Sequence, residues 1–230
     1  ISTKGFALSR KFYKLKAKYH KQKAILYINK YDSIGTSRKI TFMEAVSICR
    51  ETFYDVKKEY GEIFDRMLEN GQIDVYAKAG KSGGAFMSSS ELLPTFVFLN
   101  HQENFKSLET LAHEMGHAVH AERSKSQPLF YQRFSTVSAE RASTFFENLV
   151  YNRMLKETTG VEREVLIHDR ITRDIATIER QIAFFNFELE LHTRVRTQGA
   201  VTKEELRTMM RTHFESYLGD GVEVTDRDGE

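Results

Sequence analysis

The sequence predicts a mainly α fold: a helical bundle around one H-E-x-x-H helix, with a small β-sheet over about residues 72–100 beside a cleft. Three observations predict it. Only two prolines occur in 230 residues, which suits long uninterrupted helices. Apolar residues recur at spacings of three and four through most of the chain, the period of a helix with one buried face. Between residues 73 and 100 the texture changes to β-branched and aromatic residues punctuated by glycines, which favour short strands and turns.

The elements follow in order. Phe6, Leu8, Phe12, Leu15, Tyr19, Ile25 and Leu26 mark an amphipathic helix from about Ser2 to Lys30. Gly35 to Arg38 breaks it. Thr41 and Glu44 have the spacing of a capping box, which opens a helix to about Val56. Another helix runs from Lys57 to Leu68 and stops at Asn70-Gly71. Ile73, Val75 and Tyr76 read as a strand, Gly80 to Gly84 as a flexible loop and Ala85 to Ser88 as a short strand. Pro94 to Asn100 is the strongest strand signal, and Pro94 suits an edge position. Helix returns from about Asn104 to Ser124. A loop carrying Gln127-Pro128 leads to a helix over about Thr136–Thr158, ended by Gly160. Val161 to Thr197 reads as one long helix stopped by Gln198-Gly199. A second capping box, Thr202 to Glu205, opens a last helix to Leu218.

Composition narrows the function. The chain is 40% hydrophobic and 29% charged, within the soluble globular range. Its formal charge of +2 gives no general pull on nucleic acid. The basic residues of the first helix (Arg10, Lys11, Lys14, Lys16, Lys18) read as a solvated face, although aromatic residues among them leave a nucleic-acid module as a competing reading. No apolar run approaches the roughly 20 residues needed to cross a bilayer, so no membrane partner is expected. The single cysteine, Cys49, rules out an internal disulfide and fits a reducing, cytoplasmic setting. A start at Ile1 and a loop-like last ten residues lead us to expect one catalytic-type domain over 1–230, cut from a longer protein.

The chemistry lies in Leu111 to His120. His113, Glu114 and His117 form H-E-x-x-H, and residues four apart share one face of a helix. Two imidazoles one turn apart can reach one zinc ion, with Glu114 as general base toward a zinc-bound water. The expected cofactor is one Zn2+ per chain. A catalytic zinc usually takes a third protein ligand. His120 is three residues beyond His117, but three ligands from one straight helix would fan along its axis, so it suits an orienting or packing role. Glu140 and Glu147, seven apart on the next predicted helix, are the better candidates. Either could ligate, and the other could hydrogen-bond a ligand imidazole.

The joint pattern H-E-x-G-H-x-x-H followed by E-x-x-S-T-x-x-E resembles the oligoendopeptidase F group of the thimet-oligopeptidase-like zinc metallopeptidases. Gly80 to Phe86 resembles that family's glycine-rich loop beside the cleft, and Pro94 to Asn100 the strand before its zinc helix. Leu15 to Lys18 and Tyr31-Asp32 resemble the lead-in to its catalytic region. The resemblance implies zinc held by His113, His117 and Glu140, with Glu114 as base. It also implies short peptide substrates laid along Gly83, Gly84, Ala85 and Phe86 and along Phe96, Val97 and Phe98. Glu147 and His120 would orient a ligand imidazole. The family's glycine- and tyrosine-rich stretch toward the carboxyl terminus, and its amino-terminal domain, have no counterpart here. The expectation is therefore a zinc-dependent endopeptidase acting on short peptides. The alternative is a zinc- and peptide-binding segment with little catalysis of its own. The pattern is silent on oligomeric state.

Overall fold

The structure, a computed structural model, describes residues 5–36, 38–132 and 134–225. Its elements in chain order are α1 (Ala7–Tyr19), β1 (Ile25–Leu26), α2 (Phe42–Val56), α3 (Lys58–Glu69), β2 (Ile73–Tyr76), β3 (Phe86–Ser88) and β4 (Phe96–His101). There follow α4 (Phe105–Ser124), α5 (Thr136–Glu157), α6 (Gly160–Thr177), α7 (Glu179–Gln198), α8 (Lys203–Leu218) and β5 (Val222–Glu223). The mainly helical expectation is met, with the small sheet where the texture changed. No helix among the described residues is long and apolar enough to cross a membrane. The chain divides into two compact units, residues 37–162 and residues 1–36 with 163–230.

The unit over residues 37–162 is built on α4. Asn104 caps its first turn, its side chain accepting from the Ser107 N–H at 2.9 Å. Eleven of its 20 residues are buried, so this helix is the core rather than its cover. Leu108, Leu111, Ala112 and Met115 are fully enclosed. Phe53 of α2 and Phe146 of α5 stack at 3.8 Å in the same core, and α5 packs along α4. Burying one such ring contributes roughly 1.5–3 kcal/mol.

The three-stranded sheet has the order β2-β4-β3, with β2 parallel and β3 antiparallel to β4. This corrects the edge placement of Pro94 to Asn100: β4 is central. Pro94 precedes it and costs no ladder bond. The first predicted capping box is half made. Thr41 accepts from the Glu44 N–H, but the Glu44 carboxylate pairs with Arg38 instead of turning back.

The other unit carries α1, β1, α7, α8, β5 and most of α6, around Tyr13, Ile25, Ile175, Phe214 and Tyr217. Two helix extents are corrected here. α1 ends at Tyr19 rather than near Lys30; the Ser2 to Lys4 part of that expectation lies outside the described residues. Lys21 adopts a positive φ of 54°, and the Gln22 N–H turns back to the Ala17 carbonyl. The chain can then place Ile25, 2% exposed, beside Val222 in a parallel β1–β5 pair. The long helix after Gly160 is two helices that bend at Ile178, where φ is −108° and ψ −68°. Backbone bonds flank the bend, from Ile178 N–H to Asp174 and from Ile182 N–H to Ile178, and at the bend the Arg180 side chain donates to the Ala176 carbonyl. The Thr202 to Glu205 box is complete, with both reciprocal bonds present.

Lys16 is buried in this unit, and its ammonium donates to the carbonyls of Lys30 (2.9 Å) and Asp32. Burial pulls its pKa from 10.5 down to about 8, against the opposing pull of Asp32 and Asp169. The unfolded chain therefore holds a proton between pH 8 and 10 that the folded chain has released, so Lys16 makes stability rise with pH in that window. Comparing denaturant midpoints of the parent and Lys16→Met should show about 1–2 kcal/mol more gain from pH 8 to 10 in the parent. Identical slopes would contradict this account of Lys16.

Candidate metal centre

His113 and His117 lie one turn apart on α4, their ring centroids 4.8 Å apart and their planes at 85°. Glu140 reaches them from α5. Its Oε2 stands 3.5 Å from His113 Nε2 and 3.7 Å from His117 Nε2. One ligand atom from each of the three falls within 4.8 Å of the others. Donors about 2.0–2.2 Å from a tetrahedral zinc stand roughly 3.3–3.6 Å from one another. The two Glu140 contacts lie close to that spacing, and two imidazole nitrogens with one carboxylate oxygen are a donor set that suits zinc. The Glu140 side chain is 48% exposed and that of His117 only 13%, so the centre is walled by α4 and open on one side.

Each imidazole is held from its far side. His113 Nδ1 meets Glu147 Oε2 at 3.1 Å, and His117 bonds the backbone of Ala139. Both rings thus turn Nε2 toward Glu140. Their charges differ in consequence. Burial pulls the His113 pKa down, but the hydrogen bond it donates to Glu147 and the carboxylates of Glu114, Glu147 and Glu140 outweigh it and raise it. Burial and the neighbouring His113 hold His117 below the usual histidine value. Ser143, fully buried, places its hydroxyl 2.9 Å from the same Glu140 Oε2 and 3.1 Å from the Glu140 carbonyl.

Glu114 is 7% exposed on the neighbouring face of α4. Burial raises its carboxyl pKa; His113 pulls the other way, Glu140 adds to the rise and a backbone bond from Met87 opposes it. That bond follows from register. Met87 faces Val97 across the β3–β4 pair, and the Val97 N–H is given to Gln72 on the opposite side. Met87 therefore sits at a non-hydrogen-bonded position, with its N–H and carbonyl on the outer edge of β3.

The sheet revises the expected peptide-binding residues. The backbone of β4 is paired on both sides, so Phe96, Val97 and Phe98 have no open main-chain edge for a peptide. Val97 is also 1% exposed. The buried Lys81 side chain lies over the Phe98 ring on one face of the sheet and donates to the β2 carbonyls of Asp74 (3.2 Å) and Tyr76 (2.9 Å). The outer edge of β3 faces α4. Gly83, Gly84 and Ala85 lead into β3, and Phe86 stacks on Phe98 at 4.7 Å. The Asn100 amide donates to the Ser82 and Gly84 carbonyls and fixes that lead-in.

His120 does not join the cluster. Its ring stacks on Phe134 at 4.0 Å and its Nδ1 is buried without a hydrogen-bond partner. Three contributors escaped the sequence. Met87 and Ala139 act through backbone atoms, which no residue type announces. Ser143 could have been suspected, because a serine three residues after a glutamate on a helix can bond back to it.

The model of peptidase family M3 matches residues 6–228. Oligopeptidase PepF of Bacillus subtilis is 31% identical over 188 residues, covering 81% of this chain and 28% of that protein. The chromosomal oligoendopeptidase F of Lactococcus lactis subsp. cremoris is 32% identical over 184 residues, covering 79% of this chain and 30% of its own length. The chain thus spans about a third or less of these relatives. Among solved structures, one described as a peptidase from Chlamydophila abortus superposes with a TM-score of 0.80 at 24% identity, over 99% of this chain and 39% of that one. PZ peptidase A with an inhibitor superposes at 0.74 and 18% identity, over 92% of this chain and 38% of that one. At these identities the two structures speak for the fold alone.

Proposed function

The chain belongs to peptidase family M3, and from that premise we propose that it carries the zinc site of an endopeptidase that cleaves short peptides. The observation that carries the proposal is the convergence of His113, His117 and Glu140 beside the buried Glu114 carboxylate. His113 and His117 would hold the metal through Nε2 and Glu140 through Oε2. Zinc, when bound, supplies Lewis acidity that acidifies water and polarises a carbonyl.

The rest falls to the chain's own residues. Glu147 and the Ala139 backbone keep the two imidazoles in the tautomer that leaves Nε2 free to ligate. The peptide adds as a strand to the outer edge of β3, where the Met87 carbonyl accepts from its backbone. Glu114 lies between that edge and the ligand imidazoles. It takes a proton from the attacking water and gives it to the departing amine, so its carboxylate is regenerated in each cycle. Burial favours that role, since a carboxylate shielded from solvent is a stronger base.

A quenched fluorescent peptide tests the proposal. Cleavage should vanish with a chelator and return with added zinc. Cleavage indifferent to the chelator would contradict it. Bound zinc without cleavage would favour the alternative of a peptide-binding segment.

A further inference from the structure

Resting on that reading of the ligands, we propose that Gly116 and Ser143 are the positioning residues that place Glu140 as the third zinc ligand. The two meet where α4 and α5 are closest. A Cβ built on Gly116 would stand 2.9 Å from the Ala142 carbonyl oxygen, 2.9 Å from Ser143 Cα and 3.2 Å from the Ala142 carbonyl carbon. All three are backbone atoms of α5, so no side chain can swing away. Any residue larger than glycine must push α5 off α4.

The displacement would be felt at the metal. Glu140 is two residues before Ala142 on a continuous helix, and helices move as rigid pieces. Glu140 is the ligand that comes from α5, whereas His113 and His117 stay on α4. Glu147, which holds His113, is on α5 as well. A shift of a few tenths of an ångström therefore loosens one ligand and the orientation of another.

Ser143 refines what the close approach allows. Enclosed by the helix contact, its hydroxyl donates to Glu140 Oε2, the oxygen that faces both Nε2 atoms. That bond selects one rotamer of an otherwise half-exposed, mobile side chain. An oxygen with two lone-pair directions can accept from Ser143 and still offer the other to a metal. Glycine inside a helix costs roughly 0.5–1 kcal/mol relative to alanine. The close approach forbids alanine that gain, and a purely packing residue would show its loss in unfolding alone, whereas a positioning residue also shows it in the coordination of the metal.

Cobalt(II) is the probe, because its visible absorption reports coordination number and geometry. The parent, Gly116→Ala and Ser143→Ala would each be titrated with cobalt, with thermal unfolding measured alongside. Gly116→Ala should bind at least about 10-fold more weakly and with an altered visible band; Ser143→Ala should lose affinity by a similar or smaller factor, with unfolding unchanged. If Gly116→Ala fails to fold, Ser143→Ala alone decides. Parent-like affinity and spectrum in every variant that folds would overturn the proposal and leave the zinc site standing. No cobalt band in the parent would overturn both.

Discussion

Replacing Glu114 by glutamine is expected to lower peptide hydrolysis about 10²–10⁴-fold while zinc content stays at the parent level. Glutamine has nearly the same volume and shape, so the buried position, 7% exposed in the parent, is filled without a cavity. Its amide can still receive the Met87 N–H on the carbonyl side. It cannot take a proton from water. Because Glu114 is not among the three converging ligands, the metal has no reason to leave. The loss should fall on kcat, since the missing interaction belongs to the transition state rather than to peptide binding. A quenched-peptide rate measured beside a metal count checks it. A variant that cleaves at the parent rate would remove Glu114 from the chemistry.

Much of this arrangement was legible before any coordinates. The periodicity located α4 closely, and the capping box at Thr202 located α8, because such a cap is a local bond between residues three apart. The spacing of His113 and His117 alone implied a shared face. The carboxylates at 140 and 147 were visible as two acids among apolar neighbours, and the fold separates them: Glu140 stands beside both Nε2 atoms and Glu147 beside His113 Nδ1.

What was not legible is long-range or carried by the backbone. Nothing in Pro94 to Asn100 tells whether a strand has one neighbour or two, so β4 read as an edge while β2 and β3 flank it. The outer edges belong to β2 and β3, and the β3 edge carries the Met87 backbone. The end of α1 depends on a lysine at positive φ, a conformation stabilised by the later pairing of Ile25 with Val222. The bend at Ile178 falls within an unbroken apolar periodicity with no glycine or proline, so nothing local marks it. Nothing local marks Gly116 as a point of close approach, because the backbone it would meet belongs to α5.

The second large effect concerns the metal itself. His117 is the less exposed of the two imidazoles, and burial keeps it neutral, the form in which a ring nitrogen can ligate. Without it only His113 Nε2 and Glu140 Oε2 would remain of the converging set. Two ligands hold zinc far less tightly than three, and the fold should persist because His117 is a small part of the α4 core. Zinc per chain after exhaustive dialysis, measured by elemental analysis on the parent and on His117→Ala, tests the central claim most directly. One zinc per chain is expected in the parent and close to none in the variant, with unchanged helix content. A parent without zinc, or a variant that keeps a full equivalent, would contradict it.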